Sequence, residues 1–230
     1  MRIGVMSALE NEVKLVLKNL TGGEVQDKLG RAWYLGRITN HDIVLACSGV
    51  GKVKAAAHTQ HLIDRFQVEC IFLIGVAGAI NPNLQVGDII ISERAIEYDQ
   101  WQGCWYQADY RLIKAAVNAG KRLGLAGNLS VGSVLTGDQP CIDTVKKSQL
   151  WQHFSGDCVE MEGAAVAHVC WINTVPFVII RAISDLASEK AIDEIKHSFN
   201  EVVDYPARIF MEIVNCDDIE LTIMNSKEVK

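Results

Sequence analysis

The chain reads as an α/β protein, a single-domain three-layer fold with a mixed, mostly parallel central sheet flanked by helices. Three observations predict it. Short apolar runs alternate with longer runs of helical character along nearly the whole length, the order expected of strands and helices wound about one sheet. Two apolar runs, residues 70–75 and 176–185, are hydrophobic at successive positions, which marks strands buried on both faces. With 230 residues, 49% of them hydrophobic, the chain is long enough to bury one large core. No repeat, linker or low-complexity segment divides it, so the domain is expected over residues 1–215, with a polar tail over 216–230.

Residues 2–6 form a first strand, and after a polar turn residues 10–19 form a helix. Residues 32–38 and 41–47 are strand-like and separated by a turn at Asn40, which predicts a hairpin. Ser48-Gly49-Val50-Gly51 then leads into a helix over 52–66, and strand 70–75 ends in the small-residue turn Val76-Ala77-Gly78-Ala79. A strand over 88–96, a helix over 110–123 and a strand over 131–135 follow, the last running into Thr136-Gly137-Asp138. A helix over 163–171, the strand over 176–185 and a helical region over 190–214 complete the series. Pro206 lacks an amide hydrogen and is expected to break or restart that last helix.

Composition excludes several classes of function. A net charge of −6 without a basic stripe argues against nucleic acid as a partner. The longest uncharged apolar run, residues 70–80, is too short to span a bilayer, and Glu10 and Glu12 interrupt the N-terminal apolar stretch, so no signal peptide is expected. Seven cysteines without a CxxC pair, several inside apolar runs, fit reduced thiols in a cytoplasmic protein.

Ser48-Gly49-Val50-Gly51-Lys52 has the look of a phosphate loop, but Ala46 and Val53 stand where that signature needs Gly and Ser or Thr. The loop is still able to offer backbone N–H groups to an uncharged ligand. His58 and His61 share a helix face without an evident third ligand, so a structural role is expected and no metal. Trp101, Trp105 and Tyr106 cluster in a turn-rich segment that suggests a pocket wall or an interface. The acids carry more weight. Glu12 follows the first strand, Glu162 opens a helix, and Asp185 ends a buried strand after Arg181 and Ser184. Each alone is an ordinary first-turn or strand-end acid. Together they sit on loops that α/β topology brings to the carboxyl edge of a sheet, where such folds hold ligands.

At this point the residues resemble a family. Ile3-Gly4, Glu12-Val13, Ser48 to Val53 (SGVGKV), Val86-Gly87-Asp88-Ile89, Gly137-Asp138, Val159-Glu160-Met161-Glu162, Ala167-His168-Val169-Cys170 and Val175-Pro176-Phe177 through Asp185 occur in register nearly end to end. The chain is similar to the nucleoside phosphorylase/hydrolase superfamily, and most to its 5′-methylthioadenosine/S-adenosylhomocysteine nucleosidases. The resemblance implies a nucleoside phosphorylase-like fold, no cofactor, a small-molecule nucleoside as ligand, and a homodimer in which the segment around Trp101 to Tyr106 reaches the partner's pocket.

It also implies residue roles. Asp185 would be the general acid at purine N7, Glu12 the base that activates water, and Arg181 an arginine of the water network near Glu12. Glu162 would bind the ribose hydroxyls, Met161 would lie under the sugar, Glu160 belongs to the same substrate-binding cluster, and Ser184 would orient Asp185. Where phosphorylases of the family carry Arg and Ser for phosphate, this chain has Leu73 and Val76, which favours water as nucleophile. The chain also departs from the nucleosidases. Val76 replaces a serine that helps hold the attacking water, and the segment between Asp99 and Tyr110 is shorter than usual. Pro140 or Cys141 stands where a phenylalanine stacks on the purine, and Ile192 where a phenylalanine covers the 5′ group. Leu9, Val50 and Ile192 would then form an apolar 5′ pocket. The expected activity is hydrolysis of the N-glycosidic bond of a 5′-modified adenosine. Two alternatives stand beside it: hydrolysis of another 5′-substituted nucleoside, such as futalosine or an adenosyl lipid precursor, and nucleoside binding without turnover.

Overall fold

The apolar runs form strands where the sequence places them, except that the run from residue 70 continues as strand through Ala79, where a small-residue turn was expected from Val76. The computed structural model describes residues 1–100, 103–216 and 219. Its elements are β1 (Arg2–Ser7), α1 (Lys14–Asn19), β2 (Thr21–Lys28), β3 (Arg31–Ile38), β4 (His41–Cys47), α2 (Lys52–Phe66), β5 (Cys70–Ala79), β6 (Ile89–Glu97) and β7 (Cys104–Gln107). They continue with α3 (Tyr110–Arg122), β8 (Leu129–Thr136), α4 (Thr144–Phe154), β9 (Cys158–Glu160), α5 (Gly163–Ile172), β10 (Phe177–Asp185), α6 (Ala191–Val202) and α7 (Asp204–Asn215). The expected helix over 10–19 divides into a 3-10 turn at Glu10–Val13 and α1. The final helical region divides at Val203, and Pro206 lies in the first turn of α7, where its missing N–H removes no intrahelical bond.

Four elements escape a sequence reading. β2 (TGGEVQDK) has two glycines and few apolar residues, because it is an exposed edge strand. It is held to β3 by a ladder and by the turn Leu29-Gly30, both at positive φ (55° and 68°) as a tight hairpin needs. α4 buries only Leu150, so its apolar periodicity is faint. Its start is set by Asp143, whose side chain accepts from the Val145 amide at 2.7 Å. β7 and β9 are too short to show a period.

The sheet is mixed, in the order β10-β6-β8-β9-β5-β1-β4-β3-β2, with β7 on β6. β10 also pairs with β5, so β5, β10, β6, β8 and β9 close into a ring from which β1, β4, β3 and β2 extend. β1, β4, β5 and β10 run in one direction, while β9 meets β5 antiparallel at Gly78↔Val159. Loops from two opposed strand sets therefore meet at one place. Successive residues of the buried strands feed opposite faces. Phe72, Ile74 and Ile180 pack with Leu112 of α3 and Phe210 of α7, whereas Ile71, Leu73 and Ile179 pack with Leu62 of α2 and Val166 of α5.

Residues singled out by their type find structural partners. His58 stacks on Trp33 at 5.4 Å and His61 meets the same indole edge-on at 4.9 Å. Among the described residues no group of three or more His, Cys, Asp or Glu is placed to hold a metal. Likewise no helix among them is long and apolar enough to cross a membrane. Tyr106 is buried and stacked on His168 at 4.7 Å, Trp105 is exposed, and Trp101 lies outside the described residues. At the C-terminus Ile219 is buried in the core shared with α7, and most of the remaining tail lies outside the described residues.

Phe210 is fully buried and meets Phe72 edge-on at 5.2 Å, fastening α7 to the middle of the sheet. Phe210→Ala is expected to lower unfolding free energy by about 3–5 kcal/mol through lost burial and a residual cavity. The midpoint of denaturant unfolding measures this.

Candidate active site

Beyond the ends of β1, β4, β5, β8, β9 and β10 lies a cavity of about 260 Å³, lined chiefly by apolar atoms. Three carboxylates face it: Glu12 from the turn after β1, Glu162 at the start of α5, and Asp185 at the end of β10, with Glu160 beside them. All four are buried. No Lys or Arg is among the described residues that line the cavity.

Glu12 is held in one orientation. Its Oε1 accepts from the Val76 amide at 3.0 Å and its Oε2 from the Leu9 amide at 2.8 Å. Ser7 Oγ lies 2.7 Å from Oε2 and 2.6 Å from the Leu9 carbonyl, and one of these takes its single proton. Behind Glu12 stands Arg181, 1% exposed, whose Nη2 pairs with Glu160 and lies 3.6 Å from Glu162 Oε2. Glu160 is fully engaged, since it also accepts from Thr136 Oγ1 at 2.5 Å and from the Gly163 amide at 2.8 Å. Glu162 keeps Oε1 on the Gly51 amide at 2.8 Å. Gly51 has φ 111°, a conformation only glycine adopts without strain.

Asp185 owes its aim to an irregularity. The β10–β5 register runs from Ile183↔Ala77 to Asp185↔Gly78, so Ser184 is an extra residue that bulges the strand and turns Asp185 toward the cavity. Its Oδ2 accepts from Ser184 Oγ at 2.8 Å and its Oδ1 from the Ala187 amide at 2.9 Å. Burial raises its pKa above the ordinary carboxyl value, against the pull of those two hydrogen bonds. Burial, then the neighbouring Glu160 charge, push Glu162 up to about 7, while Arg181 and the Gly51 amide act the other way.

The structure brings together most of the residues expected from sequence. Leu9, Glu12, Val50, Val76, Cys141, Glu160, Met161, Glu162, Ser184 and Asp185 all line the cavity. Two positions depart from expectation. Ile192 is 55% exposed, and α6 turns Ala191, Ile195 and Phe199 inward in its place. Their spacing of four along one helix face is the signal that would have found them. Arg181 lies beside Glu12 as expected but is absent from the lining. Its guanidinium is turned to Glu160 and Glu162. The loop at residues 48–52, expected to offer its amides to an uncharged ligand, gives that of Gly51 to Glu162 instead, and Ser7 and Thr136 are functional groups that sequence reasoning misses, because their partners Glu12 and Glu160 are set by the fold.

The fold and this acid-lined cavity define a glycosidic-bond enzyme scaffold, and the comparisons give the family. Residues 2–215 match the Phosphorylase superfamily, and the chain belongs to it. It is 31% identical to an aminodeoxyfutalosine nucleosidase of Campylobacter jejuni, over 93% of this chain and 96% of that one. It is 35% identical to a 5′-methylthioadenosine/S-adenosylhomocysteine nucleosidase of Bacillus cytotoxicus, over 90% and 94%. The crystal structure of the Neisseria meningitidis nucleosidase of that name, in complex with methylthio-immucillin-A, superposes with a TM-score of 0.89 at 30% identity, covering 93% and 98%.

The raised Glu162 pKa has a consequence for stability. Between its ordinary value of 4.5 and about 7, the folded protein holds a proton that the unfolded chain has released. Stability from this group is therefore complete below that window and falls as pH rises through it. Glu162→Gln, which cannot ionise, is expected to flatten the decline between pH 4.5 and 7. Denaturant midpoints measured across that range check it.

Proposed function

We propose that the chain is a purine nucleosidase that hydrolyses the N-glycosidic bond of a 5′-modified adenosine of the methylthioadenosine/S-adenosylhomocysteine type. The products are adenine and a 5-substituted ribose. One observation carries the reading: a carboxyl whose pKa burial raises, Asp185, and a firmly oriented carboxylate, Glu12, line one apolar cavity with no Lys or Arg among the described residues of its lining. Asp185 delivers its proton to purine N7 as the bond from C1′ to the base breaks, and the bonding pair leaves with the base. Water then attacks C1′ of the oxocarbenium-like ribose and yields its proton to Glu12. Glu162 accepts hydrogen bonds from the ribose hydroxyls, with Met161 beneath the sugar. Arg181 and Glu160 fix these groups from behind.

Water is favoured over phosphate by the same electrostatics. A phosphate dianion in this cavity would face Glu12 and Glu162 while Arg181 is already taken by carboxylates, and burying it unpaired is costly. The apolar set Leu9, Val50, Ile195 and Phe199 suits a thioether or other apolar 5′ substituent, and Pro140 and Cys141 suit the base. The similarity to a protein named aminodeoxyfutalosine nucleosidase supports a second reading, in which the 5′ substituent is of the futalosine kind. A homodimer in the cytoplasm completes the proposal. Sedimentation tests the dimer.

Base release from methylthioadenosine, S-adenosylhomocysteine, 5′-deoxyadenosine, adenosine, inosine and futalosine, with and without phosphate, tests the activity. Adenine and free sugar from a 5′-modified adenosine, independent of phosphate, are expected; a sugar 1-phosphate would refute hydrolysis. Asp185→Asn is expected to lower the rate at least ~100-fold, with nucleoside affinity within a few-fold, as befits loss of a general acid. Equilibrium binding and single-turnover rates separate these effects.

Val76→Ser would place a hydroxyl beside the Val76 amide that already bonds Glu12. It is expected to raise the hydrolytic rate. An unchanged rate would mean that backbone and Ser7 groups already hold the water.

A further inference from the structure

The turn that carries Asp185 is strained and held from outside by two charged side chains. Ala187, whose amide orients the Asp185 carboxyl at 2.9 Å, has φ 48°, in the left-handed region that side-chain-bearing residues avoid. The residue between them, Leu186, is gripped at both ends. Its carbonyl accepts from Lys147 Nζ of α4 at 2.7 Å, and its amide donates to Glu194 Oε2 of α6 at 2.8 Å. From α6 Ser198 Oγ also lies 2.5 Å from the Ser184 carbonyl and 2.9 Å from the Glu194 carbonyl, one of which takes its single proton. Two helices thus converge with opposite charges on one residue next to the proposed acid.

We propose that Lys147 and Glu194 are positioning residues for Asp185: they clamp the Leu186 backbone so that the Ala187 amide meets the carboxyl, and they present it with opposing charges. The inference rests on Asp185 being the general acid. Glu194 favours the protonated carboxyl and Lys147 the ionised one, and both effects lie beneath the larger influence of burial. The other charged or titratable groups around Asp185 are few. The Cys141 thiol precedes α4, and Glu189 is bound to Thr144 at the rim. Glu12, Glu160 and Glu162, with Arg181 among them, belong to the same cavity. Where β5 pairs with Asp185 it presents only Gly78, on which a Cβ would stand 2.8 Å from Oδ1.

The arrangement makes a prediction that a merely structural role would not. An acid must be protonated to act, so the rate falls as pH rises through its pKa, and the basic limb of kcat/KM against pH reports it. Removing the cation in Lys147→Met should displace that limb upward. Removing the anion in Glu194→Gln should displace it downward. Each displacement should be ~0.5–1 pH unit, below the shift of 1–3 units from a charge at 4–6 Å, because both side chains are part-exposed. Lys147→Arg should restore the wild-type position. Displacements of opposite sign support the clamp; loss of rate at every pH with an unmoved limb, or movement in one direction for both variants, overturns it. If Lys147→Met does not fold, Glu194→Gln decides alone by the direction of its displacement. Asp185→Asn assayed alongside keeps the two claims apart. If it retains activity the acid assignment fails; if it is silent while the limbs stay put, only the clamp fails.

Discussion

The site is organised around one buried guanidinium. Arg181 lies mid-strand in β10, opposite Gly75 of β5, and its side chain emerges among Glu12, Glu160 and Glu162. An arginine in a sheet interior needs an empty position beside it, and Gly75 supplies that. A Cβ there would collide with Arg181 Nη1 and stand 2.5 Å from Glu12 Oε1. Removing one member of a buried charge group leaves another uncompensated at a cost of about 3–5 kcal/mol, so the four residues stand or fall together. Three carboxylates around one cation also cannot all ionise comfortably. Burial first, and the excess of carboxylate charge after it, push the Glu162 pKa up to about 7.

That constraint explains why the loop at residues 48–51 resembles a phosphate loop without being one. Its glycines free a backbone amide to meet an anion, which is the physics of a phosphate cradle. The anion here is internal. Gly51 gives its amide to the Glu162 carboxylate, joining the start of α2 to the start of α5. The same economy holds on the far wall, where Asp185 depends on a bulge in β10 and on a strained turn rather than on an ion pair. One half of the cavity is therefore tied by charge, and the other by backbone geometry that α4 and α6 hold in place.

Much of this was legible in the chain. Runs of unbroken hydrophobicity located β5 and β10, and the acids that end or follow strands located the cavity, because both signals are local. The motifs around Glu160, Met161, Glu162, Arg181 and Asp185 carried the family as well. Elements whose stability comes from neighbours were not legible: β2 is a strand because β3 offers a ladder, and α4 buries a single leucine. Ile192 shows the limit for side chains. A helix was foreseen there, but which of its faces meets the cavity depends on how α6 docks, and docking brings in Ile195 and Phe199.

The sequence by itself therefore determined the layered α/β class and the acids available for chemistry, since both are set by residue type and local pattern, while its family resemblance pointed to the missing phosphate partners. Only the tertiary structure decided which groups act on a ligand and which act through another residue. Arg181 stands outside the lining and Glu160, at its edge, is taken up by internal partners; Ser7 and Gly51 bond Glu12 and Glu162, and Lys147 and Glu194 bond the turn beside Asp185. The physical reason is that hydrogen bonds and charge shifts depend on distances of a few ångströms. Those distances are created when the ring of β5, β10, β6, β8 and β9 closes, and nothing in the linear order of residues expresses that closure.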